Sequence, residues 1–264
     1  MPLRALSIAA AGGRAMMRKV DTIANNLSNV ATAGFKRTRA SFADLLYQQV
    51  QRAGPPDTAA TPTGIFFGTG VRLVSTEKIH TQGALEATER QLDFAVDGEG
   101  FFRVQLPGGQ IAFTRAGNFQ LDAQGNLVTN EGYLLDPQFT VPQDATGIIV
   151  DVTGRFFVVT AANPETPTEI GQFQLARFVN PSGLEAIGDN LYIQSAASGN
   201  PIDGQAGDRN QGFGVIRQGF LEESNVDVVG ELVDLIQTQR AFEINTNSIQ
   251  AADEILQTIN GLRR

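Results

Sequence analysis

The sequence predicts an α+β protein, with long N- and C-terminal helices packed as a coiled-coil-like pair and a mainly antiparallel β central domain. Three observations predict it. Amphipathic helical periodicity runs from Leu3 to Val30 and again from Val226 to Leu262, and a helix with one apolar stripe must bury that stripe against a partner. The chain between them is rich in glycine (28 residues in all) and phenylalanine (17), with short apolar runs broken by turns. No stretch of crossover-helix length separates those runs, so their pairing reads as antiparallel. Two such ends around a β body suit a building block better than an enzyme.

In the first helix Leu3, Leu6, Ala10, Gly13, Met17, Val20, Ala24 and Leu27 recur at alternating spacings of three and four. That heptad rhythm favours long helix–helix contacts, and Ala10 and Gly13 permit close backbone approach. Asn25, Asn26 and Asn29 lie near its end and Gly34 supplies a stop signal. Phe35 to Val50 reads as either helix or extended chain. Ala53 to Gly64 holds Gly54, Pro55, Pro56 and Pro62, which exclude a continuous helix and mark a linker or long loop. Ile65 to Phe67, between glycines, marks the entry to the β body.

The body reads as short strands. Phe101–Gln105 and Ile111–Arg115 flank a Pro107-Gly108-Gly109 turn, and Phe119–Leu121 and Leu127–Thr129 flank Asp122, Gly125 and Asn126. Ile148–Val152, Phe156–Thr160, Gln172–Phe178, Leu191–Gln194 and Val215–Gln218 follow, while Ala196 to Gly214 reads as loop. The C-terminal helix opens with Ser224 or Asn225 as its cap. Val228, Leu232, Leu235, Phe242, Ile249 and Leu256 form one stripe, interrupted by Gln239, Thr246 and Asp253. Ala241, Ile244, Ser248, Ala251, Ile255 and Leu262 run beside it. Two seams imply two neighbours, one of them the N-terminal helix and the other a second subunit. Asn245, Asn247 and Gln250 are of the kind that fixes register in a helix interface. The resulting division is 1–35 with 221–264 as the terminal-helix domain, 36–67 as a connecting segment, and 68–220 as the β-rich domain.

Composition excludes several functions. At a net charge of -8, nucleic acid is an unlikely partner, since phosphate binding needs concentrated Lys and Arg. Cysteine is absent, which removes disulfides and thiolate metal sites. No window approaches the length of a membrane span, and Ile8 to Gly13 runs into Arg14, Arg18 and Lys19 without a cleavage pattern. His80 is the single histidine and reads as surface or strand edge. Asp93, Asp97 and Glu99 cluster in sequence around Gly98 and Gly100; paired carboxylates can hydrolyse glycosides, but a turn explains them better. Gly98-Glu99-Gly100 lacks the spacing and context of a dinucleotide loop. No catalytic residue, metal ligand or cofactor is predicted.

Longer motifs carry a resemblance. DTIANNLSNVATAGF, Asp21 to Phe35, and KRTRASFADLLYQQV, Lys36 to Val50, resemble the N-terminal signature of bacterial flagellar rod and hook proteins. LDFAVDGEGFFRV, Leu92 to Val104, and TRAGNFQLDAQGNLVTNEGYLL, Thr114 to Leu135, are similar to its central motifs, and Gly219 to Leu256 to its C-terminal one. Tyr47 to Gly70 and Gln172 to Pro181 resemble the distal-rod branch, with proximal rod as the alternative. The resemblance implies family-motif roles for Asn25, Asn26, Asn29, Gly34 and Phe35, and for Ser224, Asn225, Gln239 and Arg240. It implies a structural subunit of the flagellar basal-body distal rod that polymerises helically into a hollow shaft. The terminal helices would form the inner tube, torque would pass to the hook, and exported axial proteins would travel through the lumen. It further implies export to the periplasmic rod by the flagellar type III apparatus without a cleaved signal. Implied partners are further copies of the chain, proximal rod proteins, the hook protein, and the ring proteins of the peptidoglycan and outer-membrane layers. The readings left beside it are a carbohydrate-binding or hydrolytic β domain, which would need Asp97 or Glu99, and a monomeric adhesin-like module. Residues 53–64 are an expected source of axial stiffness.

Overall fold

A computed structural model describes residues 2–51, 64–161, 163–208 and 210–261. Residues 53–64, the expected source of axial stiffness, therefore lie outside the described residues, Gly64 apart. The fold is α+β, with one helix at each end and antiparallel strands between. No described helix is long and apolar enough to cross a membrane. The chain divides into two compact units, one of residues 1–27, 38–77 and 227–264, the other of 28–37 and 78–226.

The first unit holds helix α1, Pro2–Ser28, and helix α2, Val228–Gly261. Gly34 does not stop α1. The helix ends at Ser28, and Gly34 sits beyond a turn with φ +69°. Residues after Lys36, ambiguous by pattern, are extended: Thr38–Asp44 pairs with Val71–Lys78, and Gln48–Gln51 with Ile65–Phe67. Ile65–Phe67 thus serves this arm and does not open the β body. Asp227 caps α2, in place of Ser224 or Asn225. Its carboxylate accepts from Val229 N–H at 3.1 Å and its carbonyl from Glu231 N–H at 2.9 Å. Asn225 is used elsewhere, as described below.

The second unit is built on a nine-stranded antiparallel sheet. Strand Phe101–Gln105 shows how it closes on both faces, because neighbouring side chains alternate between faces. Phe102 and Val104 enter the main core with Phe94, Phe119, Phe139, Phe156 and Phe173. Phe101 turns the other way, into a smaller cluster with Phe113, Phe178 and Tyr192. The rings meet edge-on or tilted in most pairs, for example Phe102 and Phe119 at 90° and 5.3 Å, which suits their quadrupoles. A three-stranded sheet of Ala145–Val150, Arg155–Thr160 and Asn163–Gln172 supplies Ile148, Val150, Phe156 and Val158 to the same core. Ile202–Gln205, expected as loop, is an edge strand on Gln174–Arg177. At its three named ladder positions before Gln205 only Gly204 is shielded from solvent, so it carries no alternation for periodicity to detect.

Candidate functional site

Two regions collect the residues singled out by sequence: the helix faces of the first unit, and a buried charged cluster in the second.

On α2 a line of shielded positions runs through Glu231, Leu235, Thr238, Phe242, Asn245, Ile249, Ala252 and Leu256, at alternating spacings of four and three, with Asp234, Ala241 and Thr246 half-buried beside it. Leu235, Phe242, Ile249 and Leu256 of the expected seam lie on this face. Val228 and Leu232 are exposed. The intervening positions are polar or small, which is why an apolar pattern passed over them. On α1 the buried residues are Ala9, Ala11, Gly13, Ala15, Ile23 and Asn26. Of its expected seam, Gly13 is buried, Leu6, Ala10, Val20 and Leu27 are half-buried, and Met17 and Ala24 are exposed. The Leu3 side chain lies outside the described residues.

Contacts identify one facing pair. A Cβ added at Gly12 would stand 2.9 Å from Asn245 Oδ1, and one at Gly13 would stand 3.8 Å from the Phe242 ring. α1 and α2 therefore touch where α1 carries no side chain. A Cβ at Gly70 would meet Ala11 at 3.1 Å, so another side of α1 packs on the arm. Asn26 closes α1 onto the first arm strand, donating to Thr38 carbonyl and accepting from Thr38 N–H, both at 2.9 Å. Asn29 is half-buried and accepts from the Thr32 hydroxyl at 3.3 Å, while Asn25, Gln239 and Arg240 are exposed.

In the second unit, Lys36, Glu222 and Arg115 form a buried triad. The Glu222 carboxylate accepts from Lys36 Nζ, from Gly83 N–H at 3.0 Å and from Arg115 Nη1 at 3.3 Å. Lys36 also donates to Thr81 carbonyl at 2.8 Å, and Arg115 Nη2 to Gly98 carbonyl at 2.9 Å. Burial pushes the Lys36 ammonium below its usual pKa even against the pull of Glu222, and likewise lowers that of Arg115. Two cations share one carboxylate, so the cluster holds a surplus positive charge away from water.

Around it the backbone is fixed. Gly34 N–H donates to Glu222 carbonyl at 2.6 Å, and a Cβ at Gly34 would stand 2.6 Å from the Arg115 carbonyl carbon. Only glycine combines that approach with its positive φ. Phe35 is buried beside the Lys78 ammonium, 4.7 Å from its ring centroid. The Asn225 amide accepts from Arg37 N–H at 2.7 Å and donates to Ile79 carbonyl at 2.8 Å and Thr81 at 3.0 Å. Ser224 Oγ is buried without a partner.

His80 is not at a surface or free strand edge. It is partly buried between the Phe101 and Tyr192 rings, at 5.6 and 5.4 Å. Burial, with Lys36, Arg115 and Lys78 around it, pushes its pKa down to about 4. Burial also raises that of Tyr192. The acidic residues near Gly98 do not converge: Asp93 pairs with Arg90 and Thr88, Asp97 with Arg217, and Glu99 with Arg177. Each carboxylate has its own partner, which favours the turn reading over an acid–base pair.

Three family models match. "Flagella basal body rod protein" covers residues 6–36, "Flagellar hook protein FlgE/F/G D1 domain" residues 95–158, and "Flagellar basal body rod FlgEFG protein C-terminal" residues 217–262. A flagellar basal-body rod protein FlgG from Buchnera aphidicola subsp. Acyrthosiphon pisum is 48% identical over 259 residues, covering 97% of this chain and 98% of the relative. The chain belongs to the FlgG family of flagellar basal-body rod proteins. FlgG proteins of Caulobacter vibrioides and Borreliella burgdorferi are 44% and 43% identical, each across 99% of this chain and at least 99% of the relative. Each matched segment of this FlgG-family chain contributes one member of the triad: Lys36 from the first, Arg115 from the second, Glu222 from the third. Sequence reading missed all three, since partners 79 and 186 positions from Lys36 leave no local pattern.

Proposed function

We propose that this chain is a structural subunit of the flagellar basal-body rod, of its distal section, and acts by polymerising with copies of itself. Membership of the FlgG family over nearly the full length supports the rod assignment. The observation that carries the polymer reading is the apolar surface left on the helices. Val229 is 72% exposed and Ile236 52%, with Val228, Leu232, Val233, Ile244 and Ile255 also open, and Ile8 and Met17 open on α1. Apolar area of that extent on paired elements marks a protein-binding surface.

In this reading α1 and α2 pair as a coiled coil through the heptad-spaced face of α2, and the exposed apolar residues form the second seam. The expected seam thus splits by neighbour. Leu235, Phe242, Ile249 and Leu256 act within the subunit, while Val228 and Leu232 with Met17 and Ala24 act between subunits. A heterologous contact that does not close on itself extends into a helical shaft. The helices form the inner tube, torque passes along the shaft, and exported axial proteins pass through it. Proximal rod, hook and the two surrounding ring proteins are its partners in the periplasm, reached by type III export.

Expression in a flagellated bacterium lacking its own FlgG tests this. Motility and hook-bearing basal bodies with complete rods are expected from this chain, and neither from its Leu232→Asp variant. Rods that stop short with the unaltered chain, made at normal levels, would refute the assignment.

A further inference from the structure

The second unit contains a cavity of about 360 Å³ that the rod reading does not use. Arg115, Arg177 and His80 are among its lining residues, and Phe101, Phe178 and Ile202 supply apolar wall. That volume falls within the range of small-ligand pockets, which join apolar walls to a few placed polar groups. Arg115 is 5% exposed, and its Nε has no partner although its other nitrogens are bonded. Nδ1 of His80 is equally shut off and unpartnered. Unpaired buried polar atoms are rare because they forfeit hydration without replacement. Both residues belong to the lining of the cavity, beside the triad whose two cations share the Glu222 carboxylate. One carboxylate already stands at this wall: Glu99, 71% exposed, whose Oε2 lies 3.3 Å from Arg177 Nη1.

We propose that this cavity is a binding site for a carboxylate carried on an apolar body, held by Arg177 and Arg115 against the phenylalanine wall. The surplus buried charge selects an anion, the guanidinium forks suit a carboxylate, and the rings select an apolar body. The same chemistry is offered by a free aromatic or aliphatic acid and by an acidic side chain of a second copy. Glu99 acts as an internal competitor for Arg177, so the two members of the pair have opposite effects on binding.

The single imidazole makes the test direct, since its proton signals report the site without assignment of the whole spectrum. Full-length protein is titrated with benzoate and, separately, with neutral benzamide. Saturable shifts of the His80 signals by benzoate alone are expected. Arg177→Gln should weaken binding roughly tenfold, as for a lost charged hydrogen bond, and Glu99→Gln should strengthen it by roughly threefold. Neither change removes a buried group, and unchanged aromatic-region spectra confirm that both variants fold. Sedimentation with and without benzoate separates the sources: weakened self-association assigns the site to a neighbour's acidic side chain, and unaltered association assigns it to a free acid. No shift at tens of millimolar, equal shifts by benzamide, or variants indistinguishable from the parent would overturn the proposal.

Discussion

Glu222 holds two cations in the dry interior, and removing it leaves both uncompensated. Breaking one side of such a buried pair costs about 3–5 kcal/mol, so Glu222→Ala should lose that much in urea unfolding, while Arg39→Ala, at the exposed Arg39–Glu77 pair, should lose under about 1 kcal/mol. His80 sets a pH dependence. Its folded pKa, about 4, lies below the ordinary imidazole value of 6.5, so between these values the unfolded chain binds the extra proton. Stability is therefore fully present above pH 6.5 and falls as pH drops toward 4, by roughly 3 kcal/mol. His80→Phe should abolish that part of the slope between pH 7 and 4.5, measured as the difference from the parent so that carboxylate titration cancels. A parallel slope in the variant would show that the imidazole is not the titrating group.

Helices and strands differ in what their patterns disclose. Val215–Gln218 and Phe101–Gln105 are strands with the expected bounds, because their apolar residues are the core. α2 also appears where its periodicity places it, and four of its core-facing residues, Leu235 to Leu256 at steps of seven, were legible as apolar. The alternating Glu231, Thr238 and Ala252 were not, since an interface that packs against glycine accepts polar and small groups; of the polar residues expected to fix register, Asn245 lies on this face and Asn247 and Gln250 are exposed. α1 shows the complementary effect: Ala9, Ala11 and Ala15 are buried while the larger Met17 is exposed, so size ranked its faces wrongly. Close approach at Gly12 leads to a test. Gly12→Leu should cost about 1–3 kcal/mol by overpacking, and Asn245→Ala should recover part of it when combined, because the two positions touch. Strict additivity would mean that the helices do not meet there. The cap is simpler: Asp227→Ala should lose about 1 kcal/mol, and Ser224→Ala much less than a cap would.

At the level of the whole molecule, the motifs that identified the family are also what fold the chain's distant parts together. Gly34, Phe35, Lys36, Glu222 and Asn225 converge within one unit, although nearly the whole β body separates them in sequence. No periodicity could have paired them; the family resemblance marks Gly34, Phe35 and Asn225 as motif residues but not Lys36 or Glu222. What this leaves on the surface is a set of apolar helix residues that nothing covers among the described residues, and in the proposed rod they meet the next subunit. The decisive measurement is electron microscopy of the purified full-length protein at high concentration, beside its Val229→Asp/Ile236→Asp variant, with circular dichroism confirming equal helix content. Straight hollow assemblies from the parent and none from the variant are expected. Monomers from both, even with proximal rod supplied as a template, or tubes from both, would contradict the claim that these faces build the shaft.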